Sequence, residues 1–257
     1  MLLLIPNIRL IYREFEARFR FPSTVERMPD VIMTGPEGRL EGRYLPAKKP
    51  NSPIALVLHP HPLYGGTMNN KVVYTLFHTF SQQGFSVLRF NFRGVGRSQG
   101  KFDRGEGELS DAASALDWLQ AHNPDAPYCW IGGFSFGAWI GMQLLMRRPE
   151  ITAFISVAPP ANQTFSFDFL APCPASGLII RGDKDEVAAQ EGVDKLVNKL
   201  KSQRGIAIDY RTIKGADHFF TDHLDRLGRE VTQYVSTFDP EAQPSPPERE
   251  KEKAKAR

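Results

Sequence analysis

From about residue 28 to 238, short runs of apolar residues alternate with longer segments in which apolar positions recur every three or four residues. The short runs read as strands and the longer ones as helices. Segments 31–34 and 40–44 flank the turn cluster Gly35-Pro36-Glu37-Gly38 and predict an antiparallel hairpin. Segment 54–59 is too uniformly apolar for a half-exposed sheet and predicts a buried strand. Helices are expected at 71–83, 109–121 (starting near Glu108 or Ser110), 136–147, 190–202 and 224–237. Strands are expected at 85–92, 128–133, 153–158, 177–181 and 206–213. Strands separated by helices of this length predict βαβ units, hence a mostly parallel, doubly wound α/β sheet of about eight strands with helices on both faces.

The two ends break the pattern. In residues 1–27, Arg9, Arg13, Arg18, Arg20 and Arg27 interleave with Leu10, Ile11, Phe15 and Phe19, the last three at helical spacing. Such a basic amphipathic segment suits a membrane surface or a partner. The plainer expectation is an extension from an upstream start codon, with the domain beginning at Met28 and running to 238. Residues 239–257 contain Pro240, Pro244, Pro246 and Pro247 followed by a charge run, and are expected to be a disordered tail.

Composition narrows the function classes. The formal charge is +3, but residues 248–257 hold five basic against three acidic residues, so the domain is nearly neutral and offers no footprint for nucleic acid. Cys129 and Cys173 are too few for a zinc motif and read as reduced thiols. Met1–Ile5 is apolar but too short for a signal peptide, and no run of about 20 apolar residues marks a membrane span, so a cytoplasmic location is expected. The oligomeric state stays open, a homodimer included.

Gly133-Phe134-Ser135-Phe136-Gly137 stands between an expected strand and an expected helix. A G-x-S-x-G in that setting makes a sharp turn that presents the serine hydroxyl at the end of a sheet, near free N–H groups at a helix start. A serine hydroxyl is a weak nucleophile unless a histidine takes its proton and a carboxylate holds that histidine. His218 and His223 lie downstream; His218 follows a strand and is the expected base, whereas His223 reads as a solvated residue on the next helix. For the acid, Asp183, Asp185, Glu186 and the upstream Asp168 compete. Asp185, just beyond the tip of a strand, is favoured, and Asp183 reads as a turn residue.

Acyl transfer also needs two N–H donors for the oxyanion. Phe136, after the serine, is expected to supply one, and the loop 59–70 the other. Pro60 and Pro62 have no N–H, leaving His61 first and Leu63 second. Leu63 and Tyr64, with Phe134 beside the serine, are expected to touch the substrate. His59 and His61 lack a third spaced ligand, so neither a metal nor a cofactor is expected. Arg93-Gly94-Val95-Gly96-Arg97-Ser98 lacks a phosphate-loop pattern and reads as a tight turn at the sheet edge.

Across 28–238 the chain resembles the α/β-hydrolase superfamily. It is most similar to small bacterial hydrolases of largely unassigned substrate. The likeness rests on His59-Pro60-His61-Pro62-Leu63-Tyr64-Gly65-Gly66-Thr67-Met68-Asn69-Asn70, on Leu88-Arg89-Phe90-Asn91-Phe92-Arg93-Gly94-Val95-Gly96-Arg97-Ser98, and on the segments 133–137, 182–187 and 215–220. It implies an α/β-hydrolase fold, a triad of Ser135, Asp185 and His218, and esterase-like activity. Dienelactone hydrolases share the fold but use cysteine, and Ser135 argues against that activity. Residues 159–176 are too few for a lid domain; Phe165, Phe167 and Phe169 within them read as an apolar flap or as core. The expected function is cleavage of a small or exposed carboxylic ester through an acyl-enzyme. The alternatives are a thioesterase or serine peptidase and, from another class, an inactive hydrolase fold used for binding.

Overall fold

The computed structural model describes residues 30–162 and 164–239. The extension 1–27 and nearly all of the tail expected at 239–257 therefore lie outside the described residues. The hairpin forms as β1 (Asp30–Gly35) and β2 (Gly38–Leu45), with Gly38 at φ +110° in the turn. There follow β3 (Ile54–Leu58), α1 (Lys71–Gln82), β4 (Ser86–Phe90), α2 (Glu106–Ala121), β5 (Cys129–Phe134) and α3 (Phe136–Leu145). The remaining elements are β6 (Ile151–Val157), β7 (Ser176–Gly182), α4 (Gln190–Lys201), β8 (Ile208–Ile213) and α5 (Leu224–Thr237).

The eight strands make one sheet in the order β1-β2-β4-β3-β5-β6-β7-β8. β1–β2 and β2–β4 are antiparallel and every later pair is parallel. β3, β4, β5 and β7 are buried along their whole length, as strands covered by helices on both faces must be. α1 packs with α5, and α2 packs with α3. From β3 the chain winds first toward β4 and then back past β3 to β5. In doubly wound sheets such a reversal marks where ligands are held, here beyond the carboxyl ends of β3 and β5.

Helix α2 begins three residues earlier than its apolar pattern suggests. The Glu108 carboxylate reaches back to accept from the N–H of Gly105 (2.7 Å) and of Asp103 (2.9 Å), which satisfies donors that a helix start leaves free. Strand ends shift by one or two residues in either direction: β3, β4 and β8 are shorter than expected, whereas β1, β2 and β7 are longer. The 93–98 segment is a tight turn, as expected; it follows the inner strand β4 and is bonded to the outer strands, Ser98 and Arg97 meeting Glu41 of β2 and Arg97 meeting Asp30 of β1. Its Arg93 is buried against the fully buried Asp111 of α2. Arg93 Nε and Nη2 donate to the two Asp111 oxygens at 3.0 and 2.8 Å, and its N–H donates to the same carboxylate.

Removing one partner of a buried pair strands the other charge. Asp111→Ala is expected to lose about 3 kcal/mol of stability, the low end for such a pair, because Glu37 and Asp103 lie within 4.0 Å of Arg93. Urea unfolding followed by circular dichroism measures this. Among the described residues no helix is long and apolar enough to cross a membrane.

Candidate active site

Strand β5 runs into Ser135 and α3 leaves it. Ser135 has φ 54° and ψ −118°, a conformation that side-chain-bearing residues rarely adopt. The turn is this tight because its glycines let backbone meet backbone. A Cβ on Gly137 would lie 2.4 Å from the Leu58 carbonyl oxygen, and one on Gly133 would lie 2.4 Å from that of Gly137. The Ser135 N–H donates to Val157 O at 2.9 Å, which ties the turn to β6.

The His218 Nε2 lies 3.1 Å from Ser135 Oγ, although 83 residues separate them in sequence. The ring is buried between Phe134 and Phe219, at 5.0 and 5.2 Å between centroids. Its Nδ1 lies 3.0 and 2.9 Å from the two oxygens of Asp185. A carboxylate only accepts, so Nδ1 carries the hydrogen and Nε2 turns its lone pair toward the serine hydroxyl. Asp185 Oδ1 also accepts from the N–H groups of Val187 (2.9 Å) and Ala188 (2.8 Å). Burial pulls the Asp185 carboxyl upward in pKa. The His218 charge, the His218 hydrogen bond and the two backbone N–H groups outweigh it and hold the group below the ordinary carboxylate range.

Two of the competing acids, Asp183 and Asp168, are engaged elsewhere. Asp183 is exposed, and it binds the neighbouring loop rather than its own: it accepts from the Gly215 N–H at 2.6 Å. With the Lys184 N–H donating to Ala216 O, this laces the acid loop to the histidine loop. Glu186 is exposed, and Asp168 pairs with Lys199 at 3.0 Å. His223 caps α5 and is half-buried, with its ring beside Gly215, rather than solvated on the helix.

Sequence reading passed over Arg181. It is 2% exposed at the end of β7, and its guanidinium points at the Asp185 and Ala188 carbonyls at 3.5 and 3.4 Å. It therefore spans the loop that presents Asp185. The signal was available: an arginine inside an otherwise apolar strand that cannot be left unpartnered. Arg181→Met is expected to lower turnover about tenfold or more through a displaced Asp185, as small misplacements do. Substrate affinity should move little, which a split between kcat and KM reads directly.

In the loop after β3, the Leu63 N–H donates to His61 Nδ1 at 3.2 Å. The N–H groups of Tyr64, Gly65 and Gly66 bond to His61 or Pro62 carbonyls. Among the described residues nothing accepts from the His61 N–H, the one donor of 60–66 so placed, nor from the Phe136 N–H at the start of α3. Two free donors thus belong to the loop and helix that meet at Gly137. His59 is fully buried with both nitrogens in use: Nδ1 donates to Pro60 O (2.7 Å) and Nε2 accepts from the Phe92 N–H (3.0 Å). Burial pushes its pKa down to about 3, so it stays neutral and joins the ends of β3 and β4.

Leu63 is 53% exposed and Tyr64 is half-buried against His61. Phe134 departs from its expected role as a substrate contact. It has no exposed surface and backs the His218 ring, because residues of β5 are covered on both faces. The β6–β7 connection has no helix or strand among its described residues. Within it Phe167 joins the core while Phe165 turns toward His61 and Phe136, so flap and core are both represented.

Comparison with known proteins agrees with this architecture. Residues 57–175 match the family model for the alpha/beta hydrolase fold. An uncharacterized protein of Rickettsia prowazekii is 55% identical over 82% of this chain and 90% of its own length. A protein of unknown function from Agrobacterium tumefaciens, classed with the α/β hydrolases, is 62% identical and superposes with a TM-score of 0.79, covering 81% of this chain and 95% of that one. A lidless α/β serine hydrolase from Xanthomonas campestris is 31% identical with a TM-score of 0.73, covering 90% of this chain and all of the other. The chain belongs to the α/β-hydrolase family.

Proposed function

We propose that the protein is a serine hydrolase that cleaves a carboxylic ester through an acyl-enzyme. The observation that carries this reading is the chain of contacts from Ser135 Oγ to His218 Nε2 at 3.1 Å and from His218 Nδ1 to Asp185 at 2.9 Å, all buried. Ser135 Oγ attacks the ester carbonyl carbon as its proton passes to His218 Nε2. The charge that develops on the carbonyl oxygen is met by the N–H groups of Phe136 and His61. The tetrahedral intermediate collapses, the C–O bond to the alcohol breaks, and the histidine returns its proton to the departing oxygen. Water, deprotonated by the same histidine, attacks the acyl-enzyme and releases the acid and Ser135. Asp185 keeps the imidazole in the tautomer that accepts from the serine.

A fluorophosphonate probe tests the reading, since it needs an activated serine and no knowledge of the substrate. The wild-type protein should be labelled on Ser135 and the Ser135→Ala variant left unlabelled. A wild-type chain that stays unlabelled beside a labelled control esterase is a binding module. Parallel assays on p-nitrophenyl esters and acyl-CoA thioesters distinguish an oxygen from a sulfur leaving group.

A further inference from the structure

Among the described residues the N–H groups of His61 and Phe136, the residue after Ser135, have no acceptor, and the side chains of these same residues start one aromatic cluster. Their rings are 4.9 Å apart. His61 also meets Tyr64 at 4.5 Å and Phe102 at 4.8 Å, and Phe165 lies 6.0 Å from Phe136. Trp139, one turn into α3, meets Phe165 at 5.2 Å and is pinned by its indole N–H donating to Ser166 O at 2.9 Å. Phe136 is the buried floor; the other five rings are half-buried, each keeping part of its surface toward solvent. Burial pushes the His61 pKa down to about 4, so at neutral pH the cluster carries no charge from that ring.

We propose that this cluster is the acyl-binding wall and that it selects esters of aromatic carboxylic acids over saturated acids of the same size. The proposal rests on the hydrolase reading above. An acyl carbon on Ser135 Oγ, with its oxygen held by the His61 and Phe136 N–H groups, has its substituent beside the rings of those two residues. The rings already meet one another tilted or edge to face at 4.5–6.2 Å. A planar ring entering among them extends the same pattern, positive edges against negative faces. A cyclohexyl group of similar size gains burial but none of that electrostatic match. The expected advantage is about three- to tenfold.

Two measurements test this. The first is the ratio of kcat/KM for p-nitrophenyl 3-phenylpropanoate to that for the 3-cyclohexylpropanoate ester. It should be about three to ten in the wild-type enzyme and fall toward one in Phe165→Leu and Tyr64→Leu. A general loss from imperfect folding cancels in the ratio. The second is binding of the two free acids to Ser135→Ala, followed by Trp139 fluorescence with Trp139→Phe as the control. The phenyl acid should bind more tightly by a similar factor, whether or not the serine reacts. Selective binding with no ester turnover would overturn the hydrolase reading and keep the aromatic site. Turnover with a ratio at or below one, higher turnover of straight-chain esters, or a ratio that survives both leucine variants overturns the aromatic wall and leaves the hydrolase.

Discussion

Replacing Ser135 by alanine is expected to reduce ester turnover on the order of 10⁵- to 10⁶-fold, the loss seen when a serine triad is deprived of its nucleophile. Stability should change little, because alanine at φ 54° keeps the strain of the turn and only one hydrogen bond, to His218, is lost. Glycine at the same position separates the two roles of the residue. It removes the same hydroxyl but adopts the conformation freely, relieving roughly 1–3 kcal/mol of backbone strain. The greater freedom of glycine in the unfolded chain opposes this by roughly 0.5–1 kcal/mol. Ser135→Gly should therefore be inactive and more stable than the wild type by about 1 kcal/mol. Initial rates on p-nitrophenyl acetate and urea unfolding midpoints read both effects. An alanine variant that keeps even a hundredth of wild-type turnover would remove Ser135 from the chemistry.

Asp185→Asn is the second large effect, about 10⁴-fold in kcat. Its amide can still accept from the Val187 and Ala188 N–H groups through an oxygen, so the loop keeps its shape. It can then face His218 Nδ1 with an NH₂ group, which favours the tautomer with the proton on Nε2. That nitrogen can no longer take the serine proton. Alanine at 185 should do worse structurally, since the buried Ala188 N–H loses its acceptor at about 1–3 kcal/mol and the half-buried Val187 N–H loses its acceptor too.

The carboxylate also predicts a pH dependence of stability. Its pKa is lower in the folded than in the unfolded chain, where an aspartate titrates near about 3.9. The unfolded state therefore binds its proton first as pH falls. The contribution is complete above roughly pH 5 and disappears as pH drops through the unfolded value toward the lower folded one. Between about pH 5 and 3 the wild type should lose more stability than Asp185→Asn. Parallel slopes for the two proteins in that window would count against an ionised Asp185 in the fold.

Much of the molecule can be traced to local pattern. Uniform apolar runs such as Ile54–Leu58 fixed the buried strands, because a strand covered on both faces has no polar side to show. The helices followed from their apolar spacing, and only their ends shifted. Those ends are set by capping groups such as Glu108, whose partners are backbone atoms that periodicity does not record. The serine was legible because a strand, two glycines and a helix are contiguous in the chain and their steric reason is local. His218 and Asp185 were legible from chain order and from their place after strands.

What the sequence by itself determined, then, is the order of elements, the strained serine and a short set of acids and bases near strand tips. The sequence ranked Asp185 above Asp183, and the tertiary structure adds the physical difference: Asp185 faces His218, whereas Asp183, two residues away, faces Gly215. It alone showed that Phe134 backs the imidazole and that Arg181 spans the acid loop, and it engages the Leu63 N–H with His61 Nδ1. Each of these depends on which groups meet across the sheet or are already hydrogen-bonded. Some of these partners lie tens of residues away, as His218 does from Asp185 and Phe134, and others, such as the carbonyls that Arg181 meets, depend on how a loop folds back; a one-dimensional pattern carries neither.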